Sequence, residues 1–344
     1  MSEKDMKNFN KVLNIGIDAM GGDNAPIEII NGVVDYINDT KDEDTIVTLV
    51  GNENIIQSKL MNYDVDLKRI EIVNATEVVI GEDHPTDAIR HKKDSSMVVG
   101  LKMLKEDKID AFISAGNSGA LVAGGTLLVG PIKGINRPAL APIIPTKRGV
   151  SLLIDCGANV DAKPLNLVQF AQMGSIYMQN ELDIKEPTVG LVNIGTEPEK
   201  GNELCKETYK KLNELDGINF AGNVEAREVF AGATDIFVCD AFTGNVILKH
   251  TEGMARDLFD MLKEQLMSTT KSKIGALLSK DAFKKLKKTF DYSEYGGAPL
   301  LGLKSLVVKA HGSSKRKEIC ACLKQAETFY KKDIANKIAE KITK

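Results

Sequence analysis

Short apolar runs rich in β-branched residues alternate with longer helical patterns along most of this 344-residue chain, and this alternation limits the fold more than any other feature. The runs with strand character are 12–17, 46–50, 69–73, 109–113, 150–154, 188–193, 218–220, 235–239 and 305–309. The segments with helical character include 26–38, 86–106, 164–179, 202–214 and 244–267. Strands that alternate with helices in this way predict an α/β protein with three layers, α/β/α, and a mostly parallel sheet.

No internal repeat of fixed period and no low-complexity linker divides the chain. Its length permits either one elaborate α/β unit or two domains that share an interface. Because no change of composition marks a boundary, we expect residues 1–344 to form a single elaborate α/β unit.

The turns that follow the strands resemble one another. Seven apolar runs each end in a turn that combines Gly with Asn, Asp or Ser, and these turns are AMGGDNAP, GNSGA, CGANVDAKP, GTEPEKGN, GNVEAR, AFTGNVILK and HGSSK. In an open α/β sheet such turns lie at the carboxyl ends of the strands, where ligands bind. Gly and Asn also serve simply to turn a chain, but that explanation suits one such turn better than seven. The pattern therefore predicts a polar ligand-binding crevice.

Charge and composition exclude several classes of function. The formal net charge is −3, so no globally basic surface indicates nucleic-acid binding. The first residues include acids and lack the apolar core of a secretory signal. Residues 111–132 carry no charge, but five glycines, Asn117 and Pro131 fit a buried strand, turn and helix better than a membrane span. We therefore expect a soluble, cytoplasmic protein.

Sequence signatures of metals, cofactors and nucleophiles are missing. The five cysteines form no CxxC pair, which argues against a zinc site or a disulfide framework and favours buried free thiols. The motifs GxxxxGK[ST], GxSxG and HExxH do not occur, and no GxGxxG follows the first strand. We therefore expect no metal, no cofactor and no covalent nucleophile, and we interpret Cys156 as a packing residue.

Three of the turns are suited to hold an anion. The GNSGA turn opens a glycine-containing helix and the HGSSK turn precedes the last helical region, so backbone N–H groups at both can bind phosphate oxygens. The GANVDAKP turn supplies a lysine directly before a proline that can start a helix. The side chains concerned are Asn117, Ser118, Lys163, His311, Ser313, Ser314 and Lys315. For each of these turns, ordinary helix N-capping is the alternative.

Three acids, Asp18, Asp155 and Asp240, end apolar strands. A carboxylate at such a position is partly buried and needs a partner. The candidate partners are Lys163, Lys249 and Arg137. The acids belong either to a structural ion-pair network that fixes the loops or to a set that handles protons or orients the substrate, and the sequence favours neither.

Eight sequence blocks carry a family resemblance across nearly the whole chain, namely IGIDAMGGDNAP, SAGNSGA, DCGANVDAKP, NIGTEPEKGN, GNVEAR, DAFTGNVILK, GGAPLLG and HGSS. In this order they resemble the acyl-ACP:phosphate acyltransferases of bacterial phospholipid synthesis, the PlsX family. Small departures from the family pattern occur at Ser118, Ala226, Glu228 and Ala241.

The resemblance implies a fold like that of phosphotransacetylases and of isocitrate and isopropylmalate dehydrogenases. It implies that a long-chain acyl group moves from acyl carrier protein to inorganic phosphate, giving an acyl phosphate that a membrane glycerol-3-phosphate acyltransferase consumes. It further implies a cytoplasmic homodimer that associates loosely with the membrane. Two alternatives stay open, a phosphotransacetylase that uses acyl-CoA and a non-catalytic peripheral membrane scaffold.

Phosphate that attacks a thioester carbonyl needs an anion cradle, donors for the developing oxyanion and accurate positioning. Guided by the resemblance, we assign phosphate binding to Asn117, Ser118, Lys163, Ser313 and Ser314, and we also count Lys163 among the catalytic groups. The expected amide donors are Asn159, Asn193 and Asn245, and the expected orienting or proton-handling groups are Asp155, Asp240 and His311. We expect Asp18 to brace neighbouring loops or to hold the thioester-bearing arm of the substrate.

Residues 271–288 contain seven lysines and one acid, Asp281. Together with the helical segment before them they predict a basic helical hairpin, 254–292, that projects from the α/β unit. Its expected contact residues are Lys273, Ile274, Leu277, Leu278, Lys280 and Lys284. An apolar tip with a collar of lysines fits anionic lipid, an acidic carrier protein or a second subunit, and the sequence leaves all three open.

Overall fold

The computed structural model describes residues 12–40, 44–289 and 295–342. The chain forms two compact units: unit 1 comprises Met1–Leu140, Gln179–Asp183 and Ser293–Lys344, and unit 2 comprises Ala141–Met178 and Ile184–Tyr292. The sequence predicts one unit and the structure has two. The chain passes between the units four times: after Leu140, between two short strands; after Met178, within a long helix; and after Asp183 and Tyr292. No linker in the sequence marks these boundaries.

The described residues form twelve strands and thirteen α-helices. The strands are β1 Leu13–Asp18, β2 Thr45–Gly51, β3 Ile70–Asn74, β4 Ala111–Ser114, β5 Ala139–Leu140, β6 Ile143–Thr146, β7 Gly149–Ile154, β8 Thr188–Asn193, β9 Asn219–Glu225, β10 Ile236–Val238, β11 Ala298–Leu301 and β12 Leu306–Lys309. The helices are α1 Ile27–Asp39, α2 Glu53–Leu60, α3 Pro85–His91, α4 Ser96–Lys105, α5 Ser118–Gly124, α6 Pro164–Glu181, α7 Glu203–Asn213, α8 Ala226–Val229, α9 Ala241–Met267, α10 Thr270–Leu278, α11 Lys280–Thr289, α12 Arg316–Lys331 and α13 Ile334–Ile342. A 3-10 turn, Leu67–Arg69, precedes β3, and a π-helical turn, Gly125–Val129, extends α5.

Unit 1 contains a seven-stranded sheet in the order β3-β2-β1-β4-β12-β11-β5, in which β11 is antiparallel to both neighbours and the other pairs are parallel. The chain runs from β1 outward to β3 and then returns to place β4 on the other side of β1. The topological switch point of this sheet therefore lies between β1 and β4. The strands are apolar and buried, as Ile15, Ile17 and Phe112 show, and Gly100 of α4 leaves room for the Phe112 ring.

Unit 2 contains a five-stranded sheet in the order β6-β7-β10-β8-β9, with β6 antiparallel to β7 and the remaining pairs parallel. The chain runs from β8 outward to β9 and then returns to place β10 on the other side of β8. The switch point of this sheet therefore lies between β8 and β10. Leu153, Val192 and Phe237 form part of its core, against which Ile247 and Leu248 of α9 pack. The predicted α/β architecture with mostly parallel strands is confirmed.

Several local predictions differ from the structure. The segment 86–106 forms two helices, α3 and α4, because residues 92–95 turn the chain and the Ser95 hydroxyl caps α4 by accepting from the N–H of Val98 at 3.4 Å. Strand β9 is longer than 218–220, so the GNVEAR block lies mostly within a strand, where Gly222 takes a φ of +95° opposite Gly190. Strands β5, β6 and β11 were not predicted because runs of two to four residues are too short to show a period.

Helix α9 leaves the core of unit 2 soon after it begins, since Ala241 and Gly244 are the buried members of its 27 residues. The short helices α10 and α11 follow, and α10 buries none of its residues. Helical structure therefore covers the predicted hairpin, 254–292, as far as residue 289, and residues 290–292 lie outside the described part of the chain. Within the described ranges, no helix combines the length and the apolar character needed to cross a membrane.

Candidate active site

Three turns of unit 1 meet at the switch point of its sheet. The turn after β1 contacts the turn after β12, where the N–H of Asp23 donates to the carbonyl oxygen of Gly312 at 2.8 Å. It also contacts the turn after β4, because a Cβ atom at Gly22 would lie 2.8 Å from the Cβ atom of Ala115. Gly22 has a φ of +104°, so both its conformation and its surroundings require glycine. Within unit 1, the turns predicted to bind a ligand therefore lie together.

Asp18 ends β1 and lies buried behind these turns. Its carboxylate accepts hydrogen bonds from the Ser114 hydroxyl at 2.8 Å and from the N–H of Met20 at 3.1 Å. Burial raises the pKa of Asp18, although hydrogen bonds from Ser96, Ser114 and the turn amides oppose that shift. The Ser114 hydroxyl in turn accepts from the N–H of Gly116 at 3.0 Å. Of the two roles expected for Asp18, bracing the loops fits this geometry, and a buried carboxylate does not fit contact with a substrate arm.

Asn117 and Ser118 are neighbours at the start of α5 but differ in what their side chains contact. Asn117 caps the helix, since its Oδ1 accepts from the N–H of Ala120 at 3.0 Å. Its side-chain amide donates to three carbonyl oxygens of the loop 80–83 at 3.1–3.2 Å. The Asn117 side chain thus uses both its amide and its oxygen in contacts within the protein. The N-capping alternative describes it better than phosphate binding. Ser118, by contrast, is exposed.

The HGSSK turn exposes His311 and Ser313 and buries Ser314. The Nδ1 atom of His311 lies 2.8 Å from the Ser313 hydroxyl oxygen and accepts from the Ser313 N–H at 3.3 Å. Because a backbone N–H can only donate, Nδ1 is the acceptor in this contact. The burial of Ser314 does not fit its predicted contact with phosphate.

Lys309, the last residue of β12, is a cation that is absent from the residues predicted from the sequence. It is half-buried, and its ammonium group lies 3.4 Å from the carbonyl oxygen of Ala115, in the turn after β4. The same group contacts the carbonyl oxygen of Ala310, which begins the turn after β12. Lys309 therefore places a positive charge at two of the clustered turns. The sequence signal was a lysine at the end of an apolar strand, directly before the HGSSK block.

In unit 2, the turn after β7 is built around the fully buried Asp155. The Asp155 carboxylate accepts from the N–H groups of Gly157 and Ala158, both at 3.1 Å, and from the N–H and side-chain amide of Asn159, at 2.8 and 2.7 Å. The carbonyl oxygen of Asn159 accepts from the N–H of Ala241 at 3.0 Å, which joins this turn to the start of α9. Asp155 thus holds its own turn in place, which fits the structural alternative considered for the strand-end acids, and the Asn159 amide serves Asp155.

At the carboxyl edge of the unit 2 sheet, the other predicted site residues either cap a helix or have exposed side chains. Asp240 caps α9, because its carboxylate accepts from the N–H and the hydroxyl group of Thr243 at 3.0 and 2.8 Å. Asn245 is exposed near the start of the same helix. Lys163 directly precedes α6, as predicted, and its N–H donates to Oδ1 of Asn166 at 2.8 Å while its side chain is exposed. The side chains of Lys163 and Asn245 are therefore accessible to a ligand.

Asn193 ends β8 and supports the loop that follows it. Its side-chain amide donates to the carbonyl oxygen of Lys200 at 3.1 Å, and its Oδ1 accepts from the N–H of Ile194 at 2.8 Å. Asn223 of the neighbouring β9 donates to the carbonyl oxygen of Glu197 in the same loop at 2.8 Å. Asn193 is buried, so supporting the loop describes it better than the predicted donation to an oxyanion.

One predicted packing thiol and one candidate ion-pair partner also lie in unit 2. Burial raises the pKa of Cys156 well above its ordinary value, with a smaller contribution from the neighbouring Cys239, so this thiol stays protonated and its interpretation as a packing residue fits. Lys249, a predicted candidate partner for the strand-end acids, pairs instead with Glu252 at 2.8 Å. In the part of the chain that the structure describes, no group of three or more His, Cys, Asp or Glu side chains is placed to hold a metal ion.

Known proteins share both the sequence and the fold. The chain matches the family model described as "Fatty acid synthesis protein" over residues 13–337. It is 53% identical over 331 residues to the phosphate acyltransferase of Alkaliphilus oremlandii (strain OhILAs), covering 96% of this chain and 98% of that protein. It is 51% identical over 333 residues to the phosphate acyltransferase of Clostridioides difficile (strain 630), covering 96% and 97%.

The fold also resembles that of a phosphotransacetylase from Streptococcus pyogenes, with a TM-score of 0.57 and 16% sequence identity over 96% of this chain and 100% of that one. This likeness concerns the fold alone, and it confirms the predicted resemblance to phosphotransacetylases. The family model spans most of the chain, and both relatives are identical to this chain at about half of the aligned residues. This chain therefore belongs to the fatty acid synthesis protein family, as do these phosphate acyltransferases.

Proposed function

We propose that this phosphate acyltransferase moves a long-chain acyl group from the thioester of acyl carrier protein to inorganic phosphate. The observation that carries the proposal is the cluster of three turns in unit 1, where Ser118, His311 and Ser313 are exposed and Lys309 supplies a positive charge. Hydroxyl groups, a ring N–H and an ammonium group are suitable donors to phosphate oxygens. Membership of the family supports the transfer of an acyl group to phosphate.

The reaction requires one new bond and the loss of one old bond. An oxygen of hydrogen phosphate forms a bond to the thioester carbonyl carbon, the carbon–sulfur bond then breaks, and the carrier-protein thiolate leaves and takes up the proton that the phosphate loses. We assign the Nε2–H of His311 to donate to a phosphate oxygen while Ser313 holds the ring through Nδ1. The charge of Lys309 favours the bound dianion. Donors that are fixed before the reaction stabilise the transition state without reorganisation.

In unit 2, we retain Lys163 as a cation for the anionic substrate and Asn245 as an amide donor. The support for both is that their side chains are exposed near the carboxyl edge of the unit 2 sheet. The N–H of Lys163 donates to Asn166, which fixes the backbone from which the exposed lysine side chain extends. Asp155 and Asp240 accept hydrogen bonds from groups of their own turn or helix start, which supports a structural role for both and not that of a proton carrier.

The direct test supplies purified protein with hexadecanoyl carrier protein, with and without phosphate, and follows free carrier protein and acyl phosphate. We expect both products to rise together, and only when phosphate is present. Hexadecanoyl-CoA is tested in parallel, and we expect the carrier-bound donor to react faster. Faster turnover of the CoA thioester would instead identify a phosphotransacetylase, and no turnover of either donor would favour a non-catalytic scaffold.

We further propose that a second copy of the chain packs on α9, giving a homodimer. Met254, Leu258 and Met261 are exposed at spacings of i, i+4 and i+7, so they share one face of the helix. An apolar stripe on an exposed helix favours association with a matching surface. Analytical ultracentrifugation should show dimers for the wild type and monomers for Leu258→Glu. A monomeric wild type would contradict this assignment.

The helices α10 and α11 form part of the basic hairpin, 254–292. For this part we propose contact with anionic lipid at the cytoplasmic face of the membrane. Ile274, Leu277 and Leu278 are exposed, and so are the lysines at 273, 280 and 284. Apolar side chains of this kind can enter the lipid boundary, and each lysine near an anionic surface adds about 1 kcal/mol. Such contact would deliver the lipid-soluble acyl phosphate to a membrane glycerol-3-phosphate acyltransferase.

Co-sedimentation with vesicles that contain anionic lipid tests the hairpin. Leu277→Glu should reduce the bound fraction, because a carboxylate replaces an apolar contact with the bilayer. Leu67→Glu, at an exposed apolar position of unit 1, is the matched control and should bind like the wild type. Equal sedimentation of the wild type and both variants would exclude the lipid contact, and selective loss of acyl-carrier-protein binding would assign the hairpin to that partner.

A further inference from the structure

Four apolar side chains are exposed where the strands of unit 2 end, and the reaction described above does not use them. They are Val160, Ile194, Phe242 and Val246, with exposed fractions of 64, 79, 66 and 51%, and we call them the apolar edge patch. The strands themselves end in buried residues, such as Ile154 of β7 and Val238 of β10. Single exposed apolar residues are ordinary, but several at one ligand-binding edge indicate a binding surface.

Two residues of the apolar edge patch flank the switch point of the unit 2 sheet. Val238 of β10 lies opposite Leu191 of β8 in their parallel pairing. Beyond this pair, Ile194 directly follows β8, which ends at Asn193, and Ala241 begins α9 shortly after the end of β10. Ile194 and Phe242, which follows Ala241, therefore stand on the two sides of the switch point, where open α/β sheets bind their ligands.

The other two residues are joined to the same place by the backbone. The N–H of Ala241 donates to the carbonyl oxygen of Asn159 at 3.0 Å, so Phe242 and Val160 each follow one member of that hydrogen-bonded pair. Val246 comes one turn after Phe242 on α9, and residues four apart lie on the same face of a helix. All four residues therefore lie at one end of the unit 2 sheet.

Buried and half-buried polar groups fix the backbone that carries the apolar edge patch. Asp155 holds the turn through Asn159, and Asn193 accepts from the N–H of Ile194 at 2.8 Å. Asp240 caps the helix that carries Phe242. A preformed apolar surface with a few fixed polar groups is the usual form of a small-molecule site.

We infer that the apolar edge patch binds the alkyl chain of the acyl donor. The inference rests on the proposed function, because an acyltransferase must hold a chain of methylene groups, and such a chain binds only through burial from water. Each methylene group that is buried should improve binding about fourfold. The four residues would therefore set the preference for chain length.

The test measures kcat/KM for carrier-protein thioesters from hexanoyl to hexadecanoyl at saturating phosphate. Phe242→Ala and Ile194→Ser should lower the value for the hexadecanoyl donor about tenfold and for the hexanoyl donor less than about twofold. The matched control is Leu67→Ala, because Leu67 is 62% exposed and precedes β3, at the amino end of a unit 1 strand. That variant should leave both values unchanged, and the KM for phosphate should not change in any of the three variants.

Two results overturn the inference while leaving the proposed function intact. One is an active enzyme in which both patch variants lose the same factor with short and long donors. The other is an unchanged chain-length dependence together with dissociation in the ultracentrifuge, which would assign the apolar edge patch to an interface between two copies. A wild-type protein that shows no phosphate-dependent turnover with any donor would instead overturn the proposed function, and the inference with it.

Discussion

The carboxyl edges of the two sheets are built alike but expose different chemistry. At each edge some acids and amides hydrogen-bond to nearby backbone groups, as Asp18 and Asn117 do in unit 1 and Asp155 and Asn193 do in unit 2. Unit 1 then exposes hydroxyl groups and an imidazole, whereas unit 2 exposes the apolar edge patch and a lysine. Similar glycine-rich turns thus have polar residues of two kinds, one that holds the turn and one that remains accessible to a ligand.

Removal of the Asp155 carboxylate should give the largest effect. In Asp155→Ala the N–H groups of Gly157, Ala158 and Asn159 lose their buried acceptor, so the free energy of unfolding should fall by about 4 kcal/mol. Urea denaturation followed by circular dichroism measures this change. Asp161→Ala removes an exposed acid from the same loop and should cost less than about 0.5 kcal/mol. Equal, small losses for both variants would contradict the structural role of the buried acid.

An exposed side chain of the same unit should affect the substrate and not the fold. If Lys163 is a cation for the anionic substrate, as proposed, Lys163→Ala should raise the KM for phosphate about tenfold and should leave the free energy of unfolding within about 0.5 kcal/mol of the wild type. The control is Lys211→Ala, which removes an exposed lysine from α7. Steady-state kinetics at varied phosphate concentration measure this KM. An unchanged KM for phosphate would show that Lys163 does not bind the substrate.

The smallest effects should separate two neighbours in unit 1. Asn117→Ala removes the cap of α5 and should lower the free energy of unfolding by about 1 kcal/mol. Ser118→Ala should change that free energy by less than about 0.5 kcal/mol but raise the KM for phosphate about threefold. Thermal unfolding and phosphate kinetics of both variants provide the measurements. Equal effects of the two substitutions on the free energy of unfolding and on the KM for phosphate would contradict the assignment of Asn117 to the fold and of Ser118 to the ligand.

The sequence predicts the regular elements because buried parallel strands are nearly continuous β-branched runs. The predicted run 188–193 coincides with β8, and 12–17 is one residue from β1. The two-unit division could not be predicted, because one boundary lies inside α6 and leaves no mark in composition. The split of 86–106 into two helices depends on a four-residue turn that interrupts an otherwise helical pattern.

The polar turns were predicted, but the contacts of their individual side chains were not. The order of the motifs identifies the family, and three of the predicted turns do meet in unit 1. Whether a side chain faces a ligand depends on partners that are distant in sequence. Asn117, for example, is used by a loop at 80–83, and Ser114 donates to Asp18 across 96 positions of the chain. Lys309 was missed because a lysine at a strand end shows no motif until the neighbouring turns are in place.

The central claim is that phosphate, and not water, attacks the acyl carbonyl carbon. Its most direct test supplies hexadecanoyl carrier protein with phosphate whose oxygens are all labelled with oxygen-18 and analyses the first products by mass spectrometry. We expect acyl phosphate that retains every labelled oxygen, in an amount equal to the carrier protein released. Fatty acid as the first product, with the label left entirely in free phosphate, would show that water attacks the thioester and would contradict the account.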